Sequence, residues 1–153
     1  MDTCLLFYKL YKNDVKPIDY IHWALKMLEN DRASLSLNIL SSLREPLNIF
    51  EVEDYFRRAL KELDWQEPSY EECAVYYIQH LSKKILEDKN HALEIAYDIY
   101  MVVRDLDYPD NLEEWCNISE MIDDFLYGDN RSKLNKEALI VTIVEEAKNQ
   151  LKK

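Results

Sequence analysis

The sequence predicts an all-α protein, an irregular bundle or short stack of antiparallel helical hairpins with about seven helices, and three observations carry that prediction. Only one Gly and four Pro occur in 153 residues, whereas sheets built on tight hairpins spend many more of both on their turns. Apolar residues recur at spacings of three and four through most of the chain. Ser or Asn followed three residues later by Glu opens several of these stretches, the signature of a capped helix start. With 48% hydrophobic and 12% aromatic residues, residues 1–153 read as one helical domain that builds a core without metal or disulfide.

Taken in order, the first ten residues hold a short apolar stretch, Cys4 to Tyr8, that fits helix or strand. Pro17 suits the first turn of a helix running to about Glu29, with Ile18, Ile21, Trp23, Ala24, Leu25 and Leu28 as its apolar surface. A second helix is expected over Arg32 to Leu43. Asn48 with Glu51 caps a third, in which Val52, Tyr55, Phe56, Ala59, Leu60 and Leu63 recur at helical spacing, and Glu53/Arg57, Asp54/Arg58 and Arg58/Glu62 pair on the wet side. Ser69 with Glu72 opens a fourth, ending near Asp88.

The fifth expected helix, about Asn90 to Leu106, carries apolar residues on more than one face, including Leu93, Ile95, Tyr97, Ile99 and Val102, and so reads as a central helix covered on several sides. Pro109 and the pair Asn111/Glu114 start a sixth that buries Trp115, Ile118, Ile122, Phe125 and Leu126 and stops at Gly128. The seventh runs from Ser132 or Asn135 to Leu151. The short connections between these helices favour antiparallel neighbours.

Charge is regional. Residues 48–130 hold 21 acidic and seven basic side chains, a net of −14, against −11 for the whole chain, while residues 131–153 hold three acidic and six basic. Between Arg104 and Arg131 nine carboxylates occur without a Lys or Arg. Glu113, Glu120 and Asp124 share one side of the sixth helix with Asn117, opposite its apolar face. Like charges three or four apart each destabilise a helix by roughly 0.2–0.5 kcal/mol, so the stripe, which reads first as a solvated face, is also the candidate surface for a basic protein partner. Asp105, Asp107, Asp110, Glu113, Glu120 and Asp124 are the candidate partner-binding carboxylates, with Tyr108 and Tyr127 as aromatic anchors. Trp115 fits the core better than the surface. The net negative charge argues against direct binding of nucleic acid.

No chemistry-bearing motif is present. One Gly excludes Gly-rich phosphate cradles and the hydrolase elbow. Asp105, Asp107 and Asp110 do not make a calcium loop, because the required Gly and closing Glu are missing and Pro109 interrupts. Cys73 and His80 lie seven apart on one helix face shared with Tyr77 and Leu81, which reads as packing rather than a nucleophile pair. His22 and His91 have no evident partner. Cys4, Cys73 and Cys116 form no CxxC pair and are expected as reduced thiols, neither bridged nor metal-bound. Catalytic residues, metal ligands and cofactors are therefore all expected to be absent, and the protein is expected not to be an enzyme. No apolar run approaches the roughly 20 residues of a membrane span, and the start lacks a basic leader and cleavage site, so a cytoplasmic protein with no membrane contact is expected.

The segments Tyr20-Ile21-His22-Trp23-Ala24-Leu25-Lys26-Met27-Leu28 and Asn48-Ile49-Phe50-Glu51-Val52-Glu53-Asp54-Tyr55-Phe56 resemble those of the small acidic helical proteins encoded beside bacterial polymorphic toxins, families of immunity proteins. The resemblance covers style, length and charge, and it assigns no individual residue. It implies a neutraliser that binds a toxin domain, often a basic nuclease, through acidic and aromatic side chains. Two other readings remain beside it: a helical scaffold or adaptor of another pathway, and an enzyme using scattered carboxylates, which needs several of them to converge in a deep polar pocket.

Overall fold

Helical spacing becomes helix throughout the computed structural model, which describes residues 1–129 and 133–153. Those residues contain eight α-helices and no strand. The additional helix is the first: Thr3–Tyr11 (α1) buries Leu6, Phe7 and Tyr8, which settles the ambiguity of the opening residues. By contact the chain divides into two compact units, Met1–Cys73 and Ala74–Lys153.

The first unit holds α1, α2 (Pro17–Glu29), α3 (Leu35–Ser42), α4 (Ile49–Glu62) and the first turn of α5 (Tyr70–Glu87). Its starts follow the expected chemistry. Pro17 is the first residue of α2, the Asn48 side chain accepts from the backbone N–H of Phe50 and Glu51, and Ser69 and Glu72 exchange hydrogen bonds at 3.2 and 2.9 Å. The second helix begins later than expected, because Ser34 caps it by accepting from the Leu37 N–H. α2, α3 and α4 pack on one another around Phe56, whose ring lies 5.7 Å from Phe7, 5.1 Å from Tyr20 and 4.9 Å, edge-on, from Trp23. Aromatic pairs at such separations contribute about 0.5–1.5 kcal/mol beyond the area they bury. The Trp23 indole N–H reaches Thr3 Oγ1 at 3.0 Å and ties α2 to α1.

Charge pairing on α4 differs from expectation in two of three cases. Asp54 and Arg58 do pair, at 2.9 Å. Arg57 instead lies 3.7 Å from Glu67, and the Glu62 carboxylate accepts from both the N–H and the hydroxyl of Ser36, clamping α4 to the start of α3. Hydrogen bonds from Ser36 hold the Glu62 carboxyl below its usual range.

The second unit contains the rest of α5, then α6 (Ala92–Asp105), α7 (Glu113–Tyr127) and α8 (Lys136–Leu151), with short 3-10 turns at Lys89–His91 and Asp110–Leu112. Here α6, α7 and α8 pack on one another. The fifth expected helix, now α6, packs on α7 and α8 but is not covered on every side, since Tyr97 is exposed, while α2, α3 and α4 form a core of their own. Ile99, Val103, Trp115, Ile118, Leu139 and Ile143 are fully buried, and the Trp115 indole N–H donates to the buried Gln150 side chain at 3.3 Å, linking α7 to α8. Asn135 caps α8 through the Ala138 N–H at 2.7 Å, and the alternative start at Ser132 lies outside the described residues. The Asn111/Glu114 cap does not form: a 3-10 turn precedes α7, and no side chain caps its first turn. Gly128 does follow α7, but with extended backbone (φ −100°) rather than a left-handed turn. No helix among the described residues is long and apolar enough to cross a membrane.

Candidate functional site

The acidic stretch folds as a helical hairpin. Only seven residues separate α6 from α7, so the two run antiparallel, and the C-terminal half of α7 lies beside the N-terminal half of α6. The turn is closed by Asp107 and Tyr108 in left-handed backbone (φ 62° and 55°), whose N–H groups return to the carbonyls of Arg104 and Val103 at 3.0 and 3.1 Å.

Placing the eight candidate residues on this hairpin separates them into two groups. Asp105, Asp107, Tyr108, Asp110 and Glu113 sit at its closed end, all exposed. Asp124, half-buried, and Tyr127, exposed, sit near the far end of α7, with exposed Glu120 between. At 1.5 Å per residue, Glu113 and Tyr127 are about 21 Å apart along the helix, so Tyr108 and Tyr127 cannot anchor one small contact. Tyr108 is 50% exposed but its hydroxyl pairs with that of Tyr100, a bond that pushes the Tyr100 phenol up. Tyr127 is 84% exposed.

Among the described residues, Arg104 and Lys153 are two cations placed against the stretch that the spacing did not show. Arg104 lies 3.9 Å from the Asp105 carboxylate, and Lys153 donates to the Asn111 carbonyl and, at 3.1 Å, to Gln150 Oε1. Both act at the closed end. His91 also has a partner: its Nδ1 lies 2.6 Å from Asp88 Oδ2, which raises the imidazole pKa.

At the open end the two helices leave a groove of about 380 Å³. Leu93 and Tyr97 line one wall, each four residues apart on α6, and Ile122 and Leu126 repeat that spacing on α7. Tyr127 continues the second wall, and Glu94, Asp98 and Asp123 supply its carboxylates. Among the described lining residues these are the only charged groups. Partial burial against the groove pushes the Asp98 carboxyl above its usual range, and the charge of Glu94 adds to the shift. Leu126, expected in the core, is 51% exposed, and Tyr97 is 39% exposed. The cause is coverage: α8 packs on both helices, yet none of its residues lines the groove. By helical angle Tyr127 falls between the groove residues of α7 and the Glu113/Glu120/Asp124 stripe, so the two surfaces join.

The sequence reading missed the α6 half of this site. Its signal was present, in that Leu93 and Tyr97 lie off the main buried face of their helix, but apolar residues on several faces read equally as burial on several sides. Among the described residues the lining combines aliphatic and tyrosine side chains with three carboxylates and includes no imidazole, thiol or aliphatic hydroxyl. Cys73 is buried with its thiol hydrogen-bonded to Cys4, and burial pushes its pKa up to about 12, while His80 stacks on Tyr77 with ring centroids 6.4 Å apart. Among the described residues no group of three or more His, Cys, Asp or Glu is placed to hold a metal ion. Comparison of the chain with protein-family models, with curated proteins and with solved structures finds no match.

Proposed function

We propose that this chain is a protein-binding module, not an enzyme, that takes a basic partner protein on the α6–α7 hairpin and works in the cytoplasm as an immunity-type neutraliser of a toxin domain. The observation that carries the binding reading is the groove itself. Solvent-exposed Tyr127, Leu126 and Tyr97 stand beside Glu94, Asp98 and Asp123, with no cation among the described lining residues. Exposed aromatic and aliphatic side chains supply the energy of a protein contact, and the surrounding negative field steers a basic partner towards them. The immunity role adds the resemblance in style, length and charge to proteins encoded beside toxins.

The test is to purify the full chain from its native cell, identify the partner by mass spectrometry, and map the contact with a photoreactive residue at position 127. Reversing Glu113, Glu120 and Asp124 to Lys should slow association at low salt by about tenfold or more and flatten its salt dependence, because charges at an interface rim act on encounter rate. A partner that is acidic, or a basic one whose association rate ignores the triple reversal and which cross-links elsewhere, would remove the reading.

A further inference from the structure

We propose that the groove between α6 and α7 receives a basic amphipathic helix of the partner, with apolar side chains seated between Tyr97 and Leu126 and Lys or Arg set against Glu94, Asp98 and Asp123. The inference rests on the binding function above and names the element that the site takes.

The groove's walls are rows of side chains spaced by four along two antiparallel helices. That is the surface into which the ridge of a third helix packs, since i, i+4 rows form both ridges and grooves. A helix laid there presents apolar residues at i, i+3 or i+4 and i+7 to the trough. Docking of an extended peptide by strand addition needs a sheet edge, and no strand exists among the described residues. α8 already packs on the hairpin without lining this face, so an incoming helix completes the covering of α6 and α7. The sign of its charge follows from the walls, whose charged side chains among the described residues are Glu94, Asp98 and Asp123, with partial burial and the charge of Glu94 both acting on Asp98. An acidic or neutral helix would leave them unpaired, and a basic one removes their mutual repulsion.

The probe is a synthetic 18-residue peptide of Leu and Lys with Leu on one helical face. A scrambled peptide of the same composition has no apolar face, and a third carries Glu in place of Lys. Titration into the isotope-labelled full chain, read by amide chemical shifts and calorimetry, should show the amphipathic basic peptide binding at residues of the groove. The scrambled peptide should bind at least tenfold more weakly and the acidic one not at all. Leu126→Asn and Tyr97→Ala change exposed side chains and so keep the fold, checked by circular dichroism, yet should weaken binding about tenfold. Asp98→Asn with Asp123→Asn should weaken it and reduce its salt dependence. No binding, equal binding of the scrambled peptide, shifts located away from α6 and α7, or indifference to Leu126→Asn would each overturn the proposal. With the native partner the two levels separate: if the triple reversal slows association while Leu126→Asn and Tyr97→Ala leave affinity unchanged, the basic-partner reading stands and the groove assignment falls. If neither set has an effect, both fall.

Discussion

Tyr20 carries its whole side chain into the core of the first unit, and its hydroxyl finds no hydrogen-bond partner among the described residues. Burial raises its pKa to about 12, with the charge of Glu53 adding to the effect. A folded-state value above the unfolded one means that this group's contribution to stability is intact below about pH 10 and is lost as pH rises through about 12. Tyr20→Phe removes a buried, unsatisfied polar atom while keeping the ring against Phe56. Denaturant unfolding at neutral pH should show equal or greater stability, by up to about 1 kcal/mol, and the alkaline loss between pH 10 and 12 should shrink. A clear loss at neutral pH would mean that the hydroxyl has a partner, such as bound water. Sequence spacing marked neighbouring Ile21 and Trp23 as apolar but could not reveal an orphaned oxygen. Nor could it show that the buried Asp19 carboxylate accepts from the Lys16 N–H at 2.8 Å and pairs with Lys9 at 3.2 Å, because a side chain's polar partners depend on how helices cross.

Helix starts were the most legible elements, because a cap is a contact over three residues and needs no tertiary information. The Asn48 and Ser69 caps formed as their spacing indicated, whereas Asn111 did not cap α7. Its failure has a local cause: Pro109 and the 3-10 turn Asp110–Leu112 deliver the chain into α7 through Leu112. Asn48→Ala should therefore destabilise the protein by about 1 kcal/mol, since it orphans the N–H groups of Phe50 and Glu51, while Asn111→Ala should cost far less. Thermal or denaturant unfolding of the two variants checks both, and equal losses would contradict the difference in capping. At the other end of α7, a Cβ on Gly128 would lie 2.9 Å from Asp124 Oδ1 and 3.1 Å from its backbone carbonyl oxygen. Close approach, not a left-handed backbone, is what favours glycine there.

Across the whole molecule the net charge of −11 sets self-repulsion against two apolar cores. Added salt screens exposed like charges, with a Debye length falling from about 30 Å at 0.01 M to about 10 Å at 0.1 M. The thermal midpoint should rise over that range, and the Glu113/Glu120/Asp124 reversal to Lys should raise it at low salt while reducing its response to salt. A midpoint indifferent to both would mean that the stripe does not strain the fold. The all-helical class, the ends of most helices to within a turn and the acidity of the hairpin were legible in the sequence by itself, because composition, periodicity and capping act over a few neighbouring residues. Only the tertiary structure decided the two-unit division of the chain, the separation of Tyr108 from Tyr127, the partners of Glu62 and His91, and the groove that joins Tyr97 to Leu126. These depend on which helix faces another helix covers and which it leaves open, a property of three-dimensional packing that periodicity along one helix does not encode.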